Sequence, residues 1–318
     1  MVTYITRRVL QLIPLLLVIS FVSFGIYQLS PGDPVLAYAP REMMKHPEQL
    51  ERLRRDLGLD KPWYVQYYRW MEKTVQGDLG RSMITGQPVL KRFMLAIPNT
   101  LRMTVTAWII SFVLAILVGV VSATRRYTFI DSASTIFSFA GISVPSFFLG
   151  ILLMLLFAVK LRWLPSIGMY TPGKEGDFWD GFLHMIMPIT ALAVTEIAAT
   201  SRYVRSSLLE VLKMDYIRTA RSKGLSERIV TYKHALRNSL MPVVTFLGLN
   251  MASFVGGALV IENLFAWPGM GRVTVQAVFQ KDYPMVMAAN LMFAFLTVVG
   301  NLIADIMYAV VDPRVKFS

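Results

Sequence analysis

The sequence contains no cysteine. Disulfides, thiolate metal sites and cysteine nucleophiles are therefore excluded, and the redox compartment cannot be read from thiol usage. Charge is scarce too. Only 16% of the residues are Asp, Glu, Lys or Arg, where soluble domains carry about 25%. Histidine is scarcer still, with His46, His184 and His234 the whole supply. The topology deduced below places one on each side of a membrane and one within it, so they cannot share a metal ion. No Ser, His and Asp constellation survives that topology, and no nucleophile–base pair supports an enzyme. Short alternating strands are missing as well, which argues against a membrane β-barrel.

What fills the chain instead is apolar sequence, 55% of the residues, gathered in blocks of 20 or more. Blocks that long read as membrane spans. Six are visible: Val9–Leu29, Met103–Ala123, Ser132–Val159, Phe182–Ser201, Met241–Ile261 and Met285–Val311. Each is expected to be helical, because backbone groups in lipid need partners within their own segment. The fold class is thus an all-α integral membrane protein. Its organisation reads as residues 1–29, the N-terminus and first span; residues 30–99, a long outer segment; and residues 100–318, a core of five further spans. Arg7 and Arg8 followed by an apolar stretch also fit a signal peptide cleaved near Ala37-Tyr38-Ala39. The stretch is too long for an ordinary signal, so an uncleaved span is expected.

The net charge of +12 follows from the same organisation. Lys and Arg fall mostly between the apolar blocks. With a cytoplasmic N-terminus, segments 1–8, 122–131, 202–240 and 312–318 carry fifteen of them, against five in the shorter outer loops 160–181 and 262–284. That asymmetry puts both termini in the cytoplasm. It also explains the basic balance without a nucleic-acid partner. Pro14, Pro145, Pro188 and Gly256-Gly257 interrupt spans, either for close helix packing or as hinges.

The outer segment is expected to hold amphipathic helices. Pro47 opens one carrying Leu50, Leu53 and Leu57, ended by Gly58. Asp60 caps a second, with Pro62 in its first turn, Tyr64, Tyr67, Tyr68, Met71 and Val75 at helical spacing, and Gly77 as its stop. Trp63 and Trp70 mark that helix as interfacial. Nearer the C-terminus, Gly168-Met169-Tyr170-Thr171-Pro172-Gly173-Lys174-Glu175 imitates a phosphate-binding loop. Glu175 stands where Ser or Thr would hold magnesium, and no strand precedes the stretch. ATP is not expected to bind there.

The inner loop 202–240 is the most informative segment. It contains Asp215-Tyr216-Ile217-Arg218-Thr219-Ala220-Arg221-Ser222-Lys223-Gly224-Leu225-Ser226 and, later, His234-Ala235-Leu236-Arg237-Asn238. Asp215 can cap a short helix, Gly224 can end it in a left-handed conformation, and Ser226 can cap the next. Two short helices joined at a glycine make a rigid projection that can transmit a push from a soluble partner.

This loop resembles the signature loop of binding-protein-dependent ABC importer permeases. The wider resemblance, to permease subunits of dipeptide and oligopeptide importers, covers nearly the whole chain. It rests on Ser30-Pro31-Gly32-Asp33-Pro34, Leu57-Gly58-Leu59-Asp60-Lys61-Pro62, Gly77-Asp78-Leu79-Gly80 and the 215–242 loop. Further on it rests on Phe265-Ala266-Trp267-Pro268-Gly269-Met270-Gly271-Arg272, Asp282-Tyr283-Pro284 and Asp312-Pro313-Arg314. Arg218-Thr219-Ala220 occupies the family's Glu-Ala-Ala position and Gly224 fits. His234-Ala235-Leu236-Arg237 replaces Ile-x-Leu-Pro, with proline only at Pro242, which leaves the ends of the helix open.

The resemblance implies a type I importer in the inner membrane of a prokaryote. A second homologous permease would complete the pathway, two ATPase subunits carrying ATP and magnesium would lie beneath, and a substrate-binding protein would dock outside. This chain would bind no cofactor itself and would not be an enzyme. Residues 215–224 would be the coupling helix. Pathway or interhelix polar residues would be Glu196, Asn250, Asn290, Asn301 and Asp305. Contacts to the outside protein would be Trp63, Tyr67, Trp70, Trp267 and Arg272. The cargo is expected to be peptide; a nickel chelate, glutathione or another small solute on the same machinery stays open. A stand-alone secondary transporter usually needs several intramembrane charges or an internal repeat. Only Glu196 and Asp305 lie within spans.

Overall fold

In the computed structural model, residues 2–29, 35, 39, 43–56, 58–241, 243 and 258–311 are described, with side chains except at 2–9, 12, 44 and 303–311. The expected features at 30–34, Leu57, Pro242, Asn250, Gly256-Gly257 and Asp312-Pro313-Arg314, and the side chain of Asp305, lie outside the described residues. Among the described residues the regular structure is helical, with one isolated bridge between Arg81 and Pro88. Eleven helices matter below. They are α1 Val2–Leu29, α2 Pro47–Asp56, α3 Trp63–Val75, α4 Val89–Thr124, α5 Phe129–Ser143 and α6 Ser146–Leu153. After these come α7 Phe178–Val211, α8 Asp215–Ser222, α9 Glu227–Ile229, α10 Met270–Phe279 and α11 Tyr283–Val311.

Helices α4 and α7 and the stretch Tyr283–Leu302 are long and apolar enough to cross a membrane. The expected span Ser132–Val159 is corrected: it is not one straight helix. Helices α5 and α6, the latter continued by a π-helix over Met154–Lys160, meet at a bend of 103°. The cause is local. Val144 precedes proline and is extended, at φ −92° and ψ 119°. A residue before proline is driven out of the helical region, and Pro145 has no N–H to continue the ladder. Pro188, by contrast, sits inside an unbroken α7. Two elements run past their expected ends. Helix α4 begins at Val89, and α7 continues ten residues beyond Ser201.

The chain divides into two compact units. One holds residues 2–98 and 272–295. Here the expected amphipathic helices form, but the second is capped differently. Pro62, not Asp60, stands at the N-cap of α3, because a proline there loses no helical hydrogen bond. Tyr67 and Trp70 turn toward α1: the Ser20 and Tyr67 hydroxyls lie 2.8 Å apart, and Phe24 meets both rings. In the same unit buried Asp282 closes the loop after α3. It accepts from Ser82 Oγ at 2.5 Å and from the Met83 amide at 3.1 Å. Two hydrogen bonds satisfy a carboxylate that burial would otherwise penalise.

The other unit holds Asn99–Gly271 and Leu296–Ser318. Its helices approach closely through small residues. A Cβ added at Gly119 would fall 2.6 Å from Val204 Cβ, and one at Gly141 2.8 Å from Ala198 Cβ. Such contacts let packing replace the hydrophobic effect that lipid does not supply. One apolar cluster joins Met103 and Ala107 of α4, Met187 and Ala191 of α7, and Ile261, Phe265 and Trp267. A second cluster builds the platform for the loop discussed next.

Candidate functional site

Helix α7 stops at Val211, and the turn Leu212-Lys213-Met214 reverses the chain into α8. The Ile217 and Arg218 amides bond back to the Met214 carbonyl. Met214, extended at φ −69° and ψ 150°, is the N-cap and supplies no side-chain bond. The expectation that Asp215 caps the helix is therefore corrected. Asp215 is the first helical residue, where its charge still opposes the positive end of the helix dipole. Helix α8 ends at Ser222, and Gly224 follows at φ +78°. Ser226 stands at the N-cap of α9, though its hydroxyl makes no capping bond.

Helix α8 has two faces. Ile217 and Ala220 are buried. They pack with Val120 and Ala123 of α4, Val204, Leu208 and Val211 of α7, and Val230 and Ala235 after α9. Three-residue spacing places both on one side of a helix. The opposite face presents Asp215, Tyr216, Arg218, Thr219 and Lys223, with Gly224 and Leu225 beyond its end, all exposed. Asp215 and Arg218 lie 3.7 Å apart, fully in solvent, where such pairs contribute little.

Three ties hold the projection. Arg221 Nε and Nη2 donate to the Glu227 carboxylate at 2.7 and 3.2 Å, locking the start of α9 to the end of α8. The arginine beside it holds the Glu227 carboxyl below its usual range. Asn238 Nδ2 donates to Tyr216 Oη at 2.8 Å. Ser207 Oγ on α7 donates to the Ser239 carbonyl at 2.8 Å. After α9 the chain widens into a π-helix over Val230–Ala235, which contains half-buried His234. This is the stretch where the sequence departs from the family pattern. Arg237 and Asn238 follow, exposed.

The other expected residues are spread apart. Glu196 is half-buried on α7, beside Thr195 and Thr200, whose buried hydroxyls have no partner among the described residues. Asn290 Nδ2 donates to Ser23 Oγ at 3.2 Å, an interhelix contact between α11 and α1. Asn301 is exposed. Trp63 is half exposed and Arg272 half-buried. Trp267 is corrected: its ring is fully buried and its indole N–H donates to the Asn99 carbonyl at 2.9 Å. It has no surface to offer an outside protein, because the 262–271 turn folds the ring inward against α4.

That turn surrounds a residue the motif reading missed, Glu262, which is fully buried. Thr100 Oγ1 donates to Glu262 Oε1 at 2.5 Å, and the Met270 amide donates to Thr100 Oγ1 at 2.8 Å. A side chain at Gly269 would collide with the Glu262 carboxyl. The glycines of the Trp-Pro-Gly-Met-Gly run thus clear space for a buried acid lying five residues before its tryptophan.

The phosphate-loop imitation is used up internally. Its Gly168 amide bonds to the Phe265 carbonyl, the Thr171 amide to Asp180 and the Gly173 amide to Glu175. His184 bonds the same loop at the Gly168 carbonyl, 3.1 Å away. These amides have no hydrogen left to offer a phosphate.

Comparison with known proteins shows the family of the chain. The profile of the family described as "Binding-protein-dependent transport system inner membrane component" matches residues 115–317, and that of its N-terminal part matches residues 1–104. The chain is 44% identical, over the full length of both, to the oligopeptide transport system permease protein AppB of Bacillus subtilis. It is 40% identical, again over both full lengths, to the glutathione transport system permease protein GsiC of Pectobacterium atrosepticum. A solved chain of the inward-facing MetNI methionine ABC transporter shares the fold at TM-score 0.55 and 18% identity, covering 70% of this chain and 96% of that one. The chain belongs to the family of binding-protein-dependent transport inner membrane components.

Proposed function

We propose that this member of the inner membrane component family conducts peptides as half of the translocation pathway, driven through α8. A permease of this family has no ATPase of its own, so force must enter through a surface. The observation that carries the reading is the two-faced α8: one face is fixed to α4 and α7 by Ile217 and Ala220, the other is free and polar. A helix seated that way moves as one body with the spans. On this reading α8 enters a groove on one of two ATPase subunits, a second homologous permease completes the pathway, and a binding protein delivers cargo from outside. Six spans with both termini cytoplasmic fit the charge distribution. Trp63 is the exposed member of the set proposed to meet the binding protein, while Glu196 and Asn301 stand as pathway candidates.

Full-length similarity to an oligopeptide permease favours peptide cargo. The equal coverage by a glutathione permease favours a second reading, a short thiol-containing peptide. Two tests separate the parts. The chain has no native cysteine, so Gly173→Cys should label with an impermeant thiol reagent from outside only, and Ser226→Cys from inside only. Reversed labelling overturns the topology. Uptake of a peptide panel and glutathione, by the chain assembled with its partners, then decides the cargo. Uptake of neither overturns the peptide assignment.

A further inference from the structure

The turn between α4 and α5 carries a site that the coupling surface does not use. Only four residues, Arg125, Arg126, Tyr127 and Thr128, separate the two helices. Helix α4 is a membrane-crossing candidate, and α5 belongs to the bent pair that makes a fourth. The apolar run of α4 continues to Ala123, so the four-residue link that follows it falls at the level where hydrocarbon gives way to headgroups. At this level the chain exposes two large rings, Tyr127 at 81% and Phe129 at 87%, among the most exposed aromatics described. Arg125 and Arg126 are exposed beside them, and the Arg126 guanidinium lies 4.3 Å from the Tyr127 ring centre.

The turn is built, not loose. Tyr127 is held at φ +63°, a conformation that costs an L residue and that solvent-exposed turns usually assign to glycine or asparagine. Its amide donates to Asp131 Oδ2 at 3.0 Å. Asp131 is itself buried, accepting from Ser122 Oγ on α4 at 2.6 Å and from Arg205 Nε and Nη2 on α7 at 2.7 and 2.9 Å. Three helices therefore meet on one carboxylate, and its remaining hydrogen bond fixes the turn. Structure is spent to hold exposed rings outward.

We propose that the 125–129 turn is an anionic-lipid anchor: Tyr127 and Phe129 enter the headgroup–acyl boundary while Arg125 and Arg126 bind lipid phosphates. The tyrosine ring, with one polar edge, favours that boundary, and the wholly apolar Phe129 ring favours its acyl side. Guanidinium groups match phosphate oxygens in pairs. Each arginine near a membrane surface adds roughly a fivefold preference for anionic lipid. The Asp131 and Arg205 pair is the positioning element behind the anchor and touches no lipid.

The test uses the full chain in vesicles of phosphatidylethanolamine and phosphatidylglycerol. Phe129→Cys carries an environment-sensitive fluorophore, and Ser226→Cys is the solvent-exposed reference. Lipids brominated on the acyl chain should quench the probe at 129 and spare the probe at 226. Spin-labelled phosphatidylglycerol should quench 129 better than spin-labelled phosphatidylcholine, and Arg125→Gln with Arg126→Gln should abolish that preference, a loss of roughly 25-fold. Thr128→Cys repeats the measurement if the ring substitution disturbs folding. Quenching by aqueous iodide in vesicles, relieved only when the ATPase subunits are added, would overturn the proposal and assign the turn to those subunits. Equal quenching by both lipids in the unsubstituted background would overturn the anionic part.

Discussion

Tyr216 and Asn238, twenty-two residues apart, are joined by a 2.8 Å hydrogen bond from the asparagine amide to the phenol oxygen. The bond ties the first turn of α8 to the segment that leads back toward the membrane. Because both residues are exposed, it stabilises the orientation of α8, not the core. Tyr216→Phe is expected to weaken the local fold by about 0.5–1.5 kcal/mol. Amides 215–222 should exchange hydrogen faster, while membrane insertion is unchanged. Unaltered exchange across α8 would show that the bond orients nothing.

Ile217 is fully buried beneath α8. Ile217→Ala should cost about 2–5 kcal/mol, a large fraction of what holds an eight-residue helix in place. The expected result is an inserted chain that captures its ATPase partner poorly, read by co-purification. Conservative Ile217→Val, which removes one methyl group at the same buried position, is the control and should leave capture near normal if the buried face provides the rigidity.

Gly224 sits at φ +78°, and a Cβ there would meet nothing within 4 Å. Its requirement is therefore conformational, not spatial. Gly224→Val should cost about 1–2 kcal/mol through the left-handed backbone alone. Gly224→Asn should be tolerated, since asparagine visits that region readily. Transport per ATP hydrolysed is the readout, and equal behaviour of the two variants would contradict the explanation.

Arg221 holds the Glu227 carboxyl below its ordinary value of 4.5. A carboxylate depressed in the folded state contributes its stability in full above the unfolded value. It loses that contribution as pH falls through the folded value. The tie between α8 and α9 should thus be intact at neutral pH and loosen only below pH 4.5. Spin labels on 222 and 229 would report the change, and Glu227→Gln should remove it. Both side chains are well exposed, so the effect is on local mobility with little change in overall stability.

Gly269 lies against the Glu262 carboxyl. Gly269→Ala is expected to destabilise the 262–271 turn by roughly 1–3 kcal/mol, the usual cost of overpacking. Glu262→Gln keeps an acceptor for Thr100 and should be milder. Thermal unfolding in detergent orders the two, and a milder Gly269→Ala would refute the packing account.

The amphipathic outer helices, the short helix Asp215–Ser222 and Gly224 just past its end were legible because each is local. Proline, glycine and three-residue apolar spacing act within one or two turns, and the interruption at Pro145 follows from its two neighbours. The length of apolar blocks likewise marked the membrane class before any contact was known. What the sequence could not show were pairings between distant elements. Nothing local links Asp131 to Arg205, Ser82 to Asp282 or Thr100 to Glu262. Trp267 is expected at the outer contact surface from the family resemblance, and only the fold buries it. A buried carboxylate needs donors at fixed positions, and those arrive from whichever helices packing brings near. Sequence by itself set the elements and the solvent they face; tertiary packing decided which polar groups meet, since the cost of leaving one unpaired out of water is met only across helices.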